Sequence, residues 1–201
     1  MKILSFLFVS ATLLFASSQE ALDAYKNHEY KKAFKLYKEA ADLGKSNAQS
    51  AVSYLYINGI GVEKNTKEGI AYLQKAANNG NVQAALDLGL YYLSGEIVSK
   101  DMKKAAKWLD VAAKGGSSEA AYNLALMYYN GDGVKQDVKK AAALLDQAAR
   151  AGHKGAKRNV GRIYMQALDF KNAKYWLREN EKDGDKEATL LLKEIEAAHK
   201  E

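Results

Sequence analysis

The chain of 201 residues contains no cysteine and no proline, and only three histidines and two tryptophans. Without cysteine there can be no disulfide, no thiolate nucleophile and no thiolate metal site. His28, His153 and His199 stand far apart, so no histidine-based cluster of convergent metal ligands is visible either. Serine is present, but never as Ser-x-x-Lys, Ser-Asp-Asn or a companion Lys-Thr-Gly, the pieces from which a serine β-lactamase assembles its nucleophile and base. The absence of proline, with alanine, leucine, lysine and glutamate abundant, favours helix throughout. These absences predict no catalytic residues, no metal site and no cofactor.

No apolar run approaches the roughly 20 residues needed to cross a bilayer. The longest, Ile3–Phe15, follows Lys2 and precedes Ala16-Ser17-Ser18. A basic start, a short apolar stretch and small residues at −3 and −1 form a secretory signal, with cleavage expected before Gln19. No cysteine follows the cleavage point, so a lipid-modified N-terminus of the bacterial lipoprotein kind is excluded. Residues 1–18 are therefore read as a signal peptide, the mature chain as periplasmic or secreted, with no stable membrane insertion. The formal net charge is +6, but lysine and glutamate are interspersed rather than blocked. That mixture predicts a solvated surface and no nucleic-acid partner.

What is present is a period. Gly44, Gly80, Gly116 and Gly152 are spaced 36 residues apart, and so are Ala48, Ala84, Ala120 and Ala156, and Tyr56, Tyr92, Tyr128 and Tyr164. Self-similarity at this period marks stacked units that bury their apolar faces only against neighbours. Within one unit, Ala84, Leu88, Tyr91 and Tyr92 fall at i, i+4, i+7 and i+8, one face of a first helix. Gly89 and Gly161 interrupt two of these helices, at a cost of about 1 kcal/mol each against alanine, which predicts close helix–helix approach. Asn65, Asp101, Asp137 and Asp169 are placed to cap a second helix.

These residues carry a family resemblance: Leu88-Gly89, Tyr92 and Gly95; Gly131-Asp132-Gly133-Val134; Asp137; Trp108; and Lys75-Ala76-Ala77 before Asn79-Gly80. The pattern resembles the Sel-1-like repeat (SLR) family, relatives of the tetratricopeptide repeat with a longer loop inside each hairpin. The resemblance implies an all-α, right-handed superhelix of antiparallel helix pairs with about eleven helices. Units are expected near 21–44, 45–80, 81–116, 117–152 and 153–184, with 185–201 as a C-terminal capping helix. The first unit is the shorter tetratricopeptide-like hairpin, and the last loses four residues, running from Met165 almost directly into Asp169.

In the tetratricopeptide relatives the first helices line a concave groove. The resemblance carries that role onto Tyr54, Ile57, Leu86, Leu90, Leu93, Tyr122, Leu126 and Tyr129, with Arg158 and Arg162 as a charged terminus. Helix geometry agrees, since at 100° per residue Leu86, Leu90 and Leu93 lie about 180–240° from Ala84, opposite the packing stripe. Two arrangements fit this second face. Adjacent first helices bury it against each other, or it forms an apolar and aromatic groove for a peptide whose carboxylate meets the arginines. The function implied is a monomeric exported scaffold that binds a protein or peptide, in envelope regulation or host interaction. The alternative is the β-lactamase or penicillin-binding activity attributed to cysteine-rich SLR relatives, whose motifs and cysteine framework this chain lacks.

Overall fold

The computed structural model describes residues 19–198, so the proposed signal and its cleavage point at residues 1–18, together with His199, lie outside the described residues. Every regular element described is helical and there is no strand among these residues. After α1 (19–26) come ten helices of 13 residues each. They are α2 (Tyr30–Asp42), α3 (Ser46–Asn58), α4 (Thr66–Asn78), α5 (Val82–Ser94), α6 (Met102–Lys114), α7 (Ser118–Asn130), α8 (Val138–Arg150), α9 (Lys154–Gln166), α10 (Phe170–Lys182) and α11 (Lys186–Ala198). The chain divides into two compact units, one through Leu88 and one from Gly89 onward.

In the N-terminal unit, α2 packs on α3 and α3 on α4. Ala40, Ala41, Ala48, Val52 and Tyr72 form its buried cluster, covered by Phe34, Tyr37 and Tyr56. Small alanines bring the helices together, and the aromatic rings fill the remaining space. The Tyr72 hydroxyl donates to Asp42 at 3.2 Å. Buried Gln49 donates to the Ala41 carbonyl and accepts from Asn79, at 3.1 and 3.0 Å. These bonds pair the polar groups that packing removes from water.

In the C-terminal unit, α6 packs on α7, and each following helix packs on the next through α11. The first-helix stripe is buried as its periodicity predicts: Ala120, Leu124 and Met127 in α7, Ala156 and Val160 in α9. The expectation of close approach is met. A Cβ added at Gly89 would lie 2.7 Å from Leu109, and one at Gly161 would lie 2.9 Å from Leu177. The last cluster, Ala173, Leu177, Ala188, Leu192 and Ile195, joins α10 to α11. Trp176 donates its indole N–H to Asp146 at 2.7 Å.

The caps form as expected. Asn65, Asp101, Asp137 and Asp169 accept the backbone N–H three residues on. Asn81, Ser117, His153 and Asp185 do the same for the first helices and for α11. Hydrogen bonds from the Asn172 backbone and side-chain amides hold the Asp169 carboxyl below the usual carboxylate range. Folding thus favours the ionised form, so this contribution is present above the unfolded value of about 3.9 and is lost as pH falls through the folded value. Asp169→Ala should cost about 1 kcal/mol near neutrality. Asp169→Asn should keep the cap but flatten the fall in stability below about pH 4, measured by urea unfolding across pH.

Candidate functional site

The candidate groove residues do not share one environment. Ile57 and Leu86 belong to the core, at 8 % and 5 % exposure, and so are not available as an open floor. For Ile57 the reason is Gly69, where an added Cβ would sit 2.6 Å from the Ile57 Cγ1. The backbone of α4 thus lies directly over that side chain. Leu90 and Leu93 are half-buried, whereas Tyr54 in the N-terminal unit is exposed.

In the C-terminal unit three of the expected residues do come together. Leu126 and Tyr129 of α7 and Arg162 of α9 line one hollow of about 320 Å³. Ala125, Leu145 and Ile163 complete its apolar floor, and Asn159 and Gln166 its polar wall. Leu126 projects from the helix side away from Leu124 and is 38 % exposed, against 1 % for Leu124. This half-wetted leucine is what the second apolar stripe of α7 produces once the first stripe has been used for packing.

Arg162 is not a free cation. Its Nη1 donates to Glu187 of α11 at 2.8 Å, and its Nη2 donates to the Asn159 side-chain oxygen at 2.7 Å. The guanidinium is thereby held at the rim of the hollow with one face of its fork already on a carboxylate. Glu187 is more than half exposed, so this is a surface pair worth at most about 1 kcal/mol. Arg158 is exposed and lines a different hollow of about 640 Å³ with Lys154, Lys157 and Asp183. There Lys157 pairs with Asp183 at 2.6 Å. The two arginines are therefore neighbours on α9 that serve separate surfaces.

Tyr122 stacks on His153, with ring centroids 4.3 Å apart and planes at 22°. The His153 Nδ1 simultaneously accepts the Ala156 N–H, so this ring both caps α9 and ties it to α7. Spacing alone gave no signal for that double role. Elsewhere His28 bonds to the Tyr30 hydroxyl at 2.7 Å. Among the described residues no three histidine, aspartate or glutamate side chains converge as a metal site would require. The lining of the Leu126 hollow includes no serine, histidine or lysine.

Helix pairs repeated in register, capped alike and packed on their neighbours, define an α-helical repeat scaffold. The chain belongs to the Sel1 repeat family, whose model matches residues 23–45, 46–81, 82–117 and 118–153, more than half of its length. Among solved structures it is similar to a Sel1 repeat protein from Oxalobacter formigenes, at 29 % identity over 87 % of this chain and 74 % of that one, with a TM-score of 0.70. It is also similar to c5321, a protective antigen of uropathogenic Escherichia coli with an SLR fold, at 27 % identity and a TM-score of 0.72. That likeness covers 89 % of this chain but only 40 % of the E. coli protein. No curated protein matches. None of the described helices is long and apolar enough to cross a membrane.

Proposed function

We propose that this chain is an exported, monomeric scaffold that binds a peptide segment of a partner protein on the first-helix face of its C-terminal unit. The observation that carries the reading is the hollow in which Leu126, Tyr129 and Arg162 meet. It offers an apolar floor for one side chain and a preset guanidinium for a carboxylate one or two residues away. A peptide carboxylate would displace Glu187 from Arg162, exchanging one exposed ion pair for another inside the complex. Release after the expected signal would put this scaffold in the periplasm or outside the cell, where roles in envelope regulation or host contact fit. The likeness to an E. coli protein described as a protective antigen is in keeping with a surface or exported setting. On this reading the units near 21–44, 45–80, 81–116, 117–152 and 153–184 each contribute one hairpin, with 185–201 closing the array.

The test is selection of a random displayed peptide library against the chain. Selected peptides should pair an apolar side chain with a nearby carboxylate, and should lose binding to Leu126→Glu. Glu187→Gln should tighten the same peptides several-fold by freeing the Arg162 fork. Peptides that bind Leu126→Glu unchanged would place the site on another surface.

A further inference from the structure

A second edge of the C-terminal unit carries features that neither its packing nor its stability requires. Every second helix begins with a lysine two residues after its cap, at positions 31, 67, 103, 139 and 171. Within the C-terminal unit, α6, α8 and α10 have no acidic residue in the first turn. A cation there opposes the helix dipole, whose N-terminal end favours negative charge. Lys139 and Lys171 line a common hollow of about 480 Å³ with Leu168, the tip of the α9–α10 turn. Lys135 and Lys140 line a second hollow around the start of α8, with Asp137 and Tyr128.

Leu168 is the more unusual member. It is 76 % exposed, so no packing holds it, and its φ is +60°, a conformation that disfavours a side chain. In the described residues, glycine takes positive φ everywhere except here and at His28. A glycine would relieve this turn, and a polar residue would suit water better than leucine does. The carboxylates near this edge remain charged, but Asp110, which also acts on Lys140, pairs with Lys114 at 2.6 Å, and the four lysines outnumber the two capping aspartates. Asp137 and Asp169 accept backbone N–H groups of their own helices. Lys140 rests 4.2 Å over the Tyr128 ring and donates to its hydroxyl, leaving its charge in place.

We propose that this edge docks on a bilayer rich in anionic phospholipid headgroups. Lys135, Lys139, Lys140 and Lys171 meet the phosphates, and Leu168 enters the boundary between headgroups and acyl chains. An apolar tip ringed by lysines is the pattern of interfacial binding, in which charge supplies attraction and the side chain supplies insertion. A nucleic acid would use the lysines but gain nothing from an exposed leucine. Lysine, a compact hydrated charge rather than a bidentate fork, suits a field of headgroups better than one fixed ligand. This surface is separate from the Leu126 hollow and does not depend on it.

The test uses the chain from Gln19 onward, which keeps all the described helices and excludes the apolar run at 3–15. It is mixed with vesicles of phosphatidylcholine alone or with phosphatidylglycerol added, and bound protein is measured by co-sedimentation. Binding should appear only with phosphatidylglycerol and fall steeply with salt. Each lysine near such a surface contributes about five-fold, so Lys139→Glu with Lys171→Glu should weaken partitioning by roughly 25-fold or more. Leu168→Gly should weaken it several-fold while leaving the melting temperature equal or higher, an outcome that a purely structural role for the leucine would not give. Equal binding to neutral vesicles, an unchanged lysine double variant, or Leu168→Gly binding as wild type would each overturn the proposal. So would duplex DNA binding with the same lysine dependence and greater strength than the vesicles.

Discussion

Gly133→Ala should destabilise the C-terminal unit by about 3 kcal/mol, several times the effect of the same change at Gly116. Both glycines have positive φ, +69° and +96°, so both substitutions incur backbone strain of about 1 kcal/mol. Only Gly133 is also crowded. A Cβ there would lie 2.4 Å from the Met102 carbonyl carbon, whereas one at Gly116 meets nothing within 4 Å. Backbone at the start of α6 cannot swing aside as a side-chain tip can, so the α7–α8 loop must lift away from α6. Urea unfolding of the two variants separates strain from crowding by simple difference. Equal midpoints would mean that the loop makes no close contact with α6.

The same loop contact recurs in the N-terminal unit, where a Cβ at Gly61 would lie 2.2 Å from the Tyr30 carbonyl oxygen. The Gly-x-Gly spelling at 59–61 and 131–133 therefore encodes two jobs. Its first glycine ends a helix in the left-handed conformation, and its second lets the loop touch the preceding hairpin. The family pattern and the helix ends were legible in the residues because each is a local demand: a cap, a turn, an apolar stripe. Eleven helices without a strand among the described residues follow from such local signals read in phase.

Long-range consequences were harder to read. The spacing that places Leu93 and Tyr129 on an outer face also places Ile57 there, yet only Ile57 is buried, and Gly69 stands beside it where other units have Ala105, Ala141 and Ala173. That missing methyl was the available signal, and it lies in the neighbouring helix. The Arg162–Glu187 pair joins residues 25 apart on α9 and α11, and no helical spacing could announce it. The lysines at 103, 139 and 171 were visible but hidden in a mixed composition. They become distinct only when the structure sets two of them beside Leu168.

Leu126→Ser should abolish binding of selected peptides while costing no more than about 1 kcal/mol, whereas Leu124→Ala should cost 2–5 kcal/mol. The residues are two positions apart on α7, so composition and helix propensity scarcely distinguish them. Their surroundings do: Leu124 is sealed in the core and leaves a cavity when truncated, but Leu126 already meets water over more than a third of its surface. Serine at 126 would present a hydroxyl to the centre of the hollow, where a peptide side chain would otherwise displace water from Leu145 and Ile163. Arg162→Met supplies the second arm. It removes the fork, frees the exposed Glu187, and should change stability by at most about 1 kcal/mol. Peptides carrying a carboxylate should weaken about tenfold or more, as expected for a lost charged hydrogen bond, while carboxylate-free peptides should be nearly unaffected. Calorimetry of both variants against both peptide classes gives four numbers. If Leu126→Ser lowers stability as much as Leu124→Ala, this face is core. If both variants bind every peptide as wild type does, the hollow is not the site.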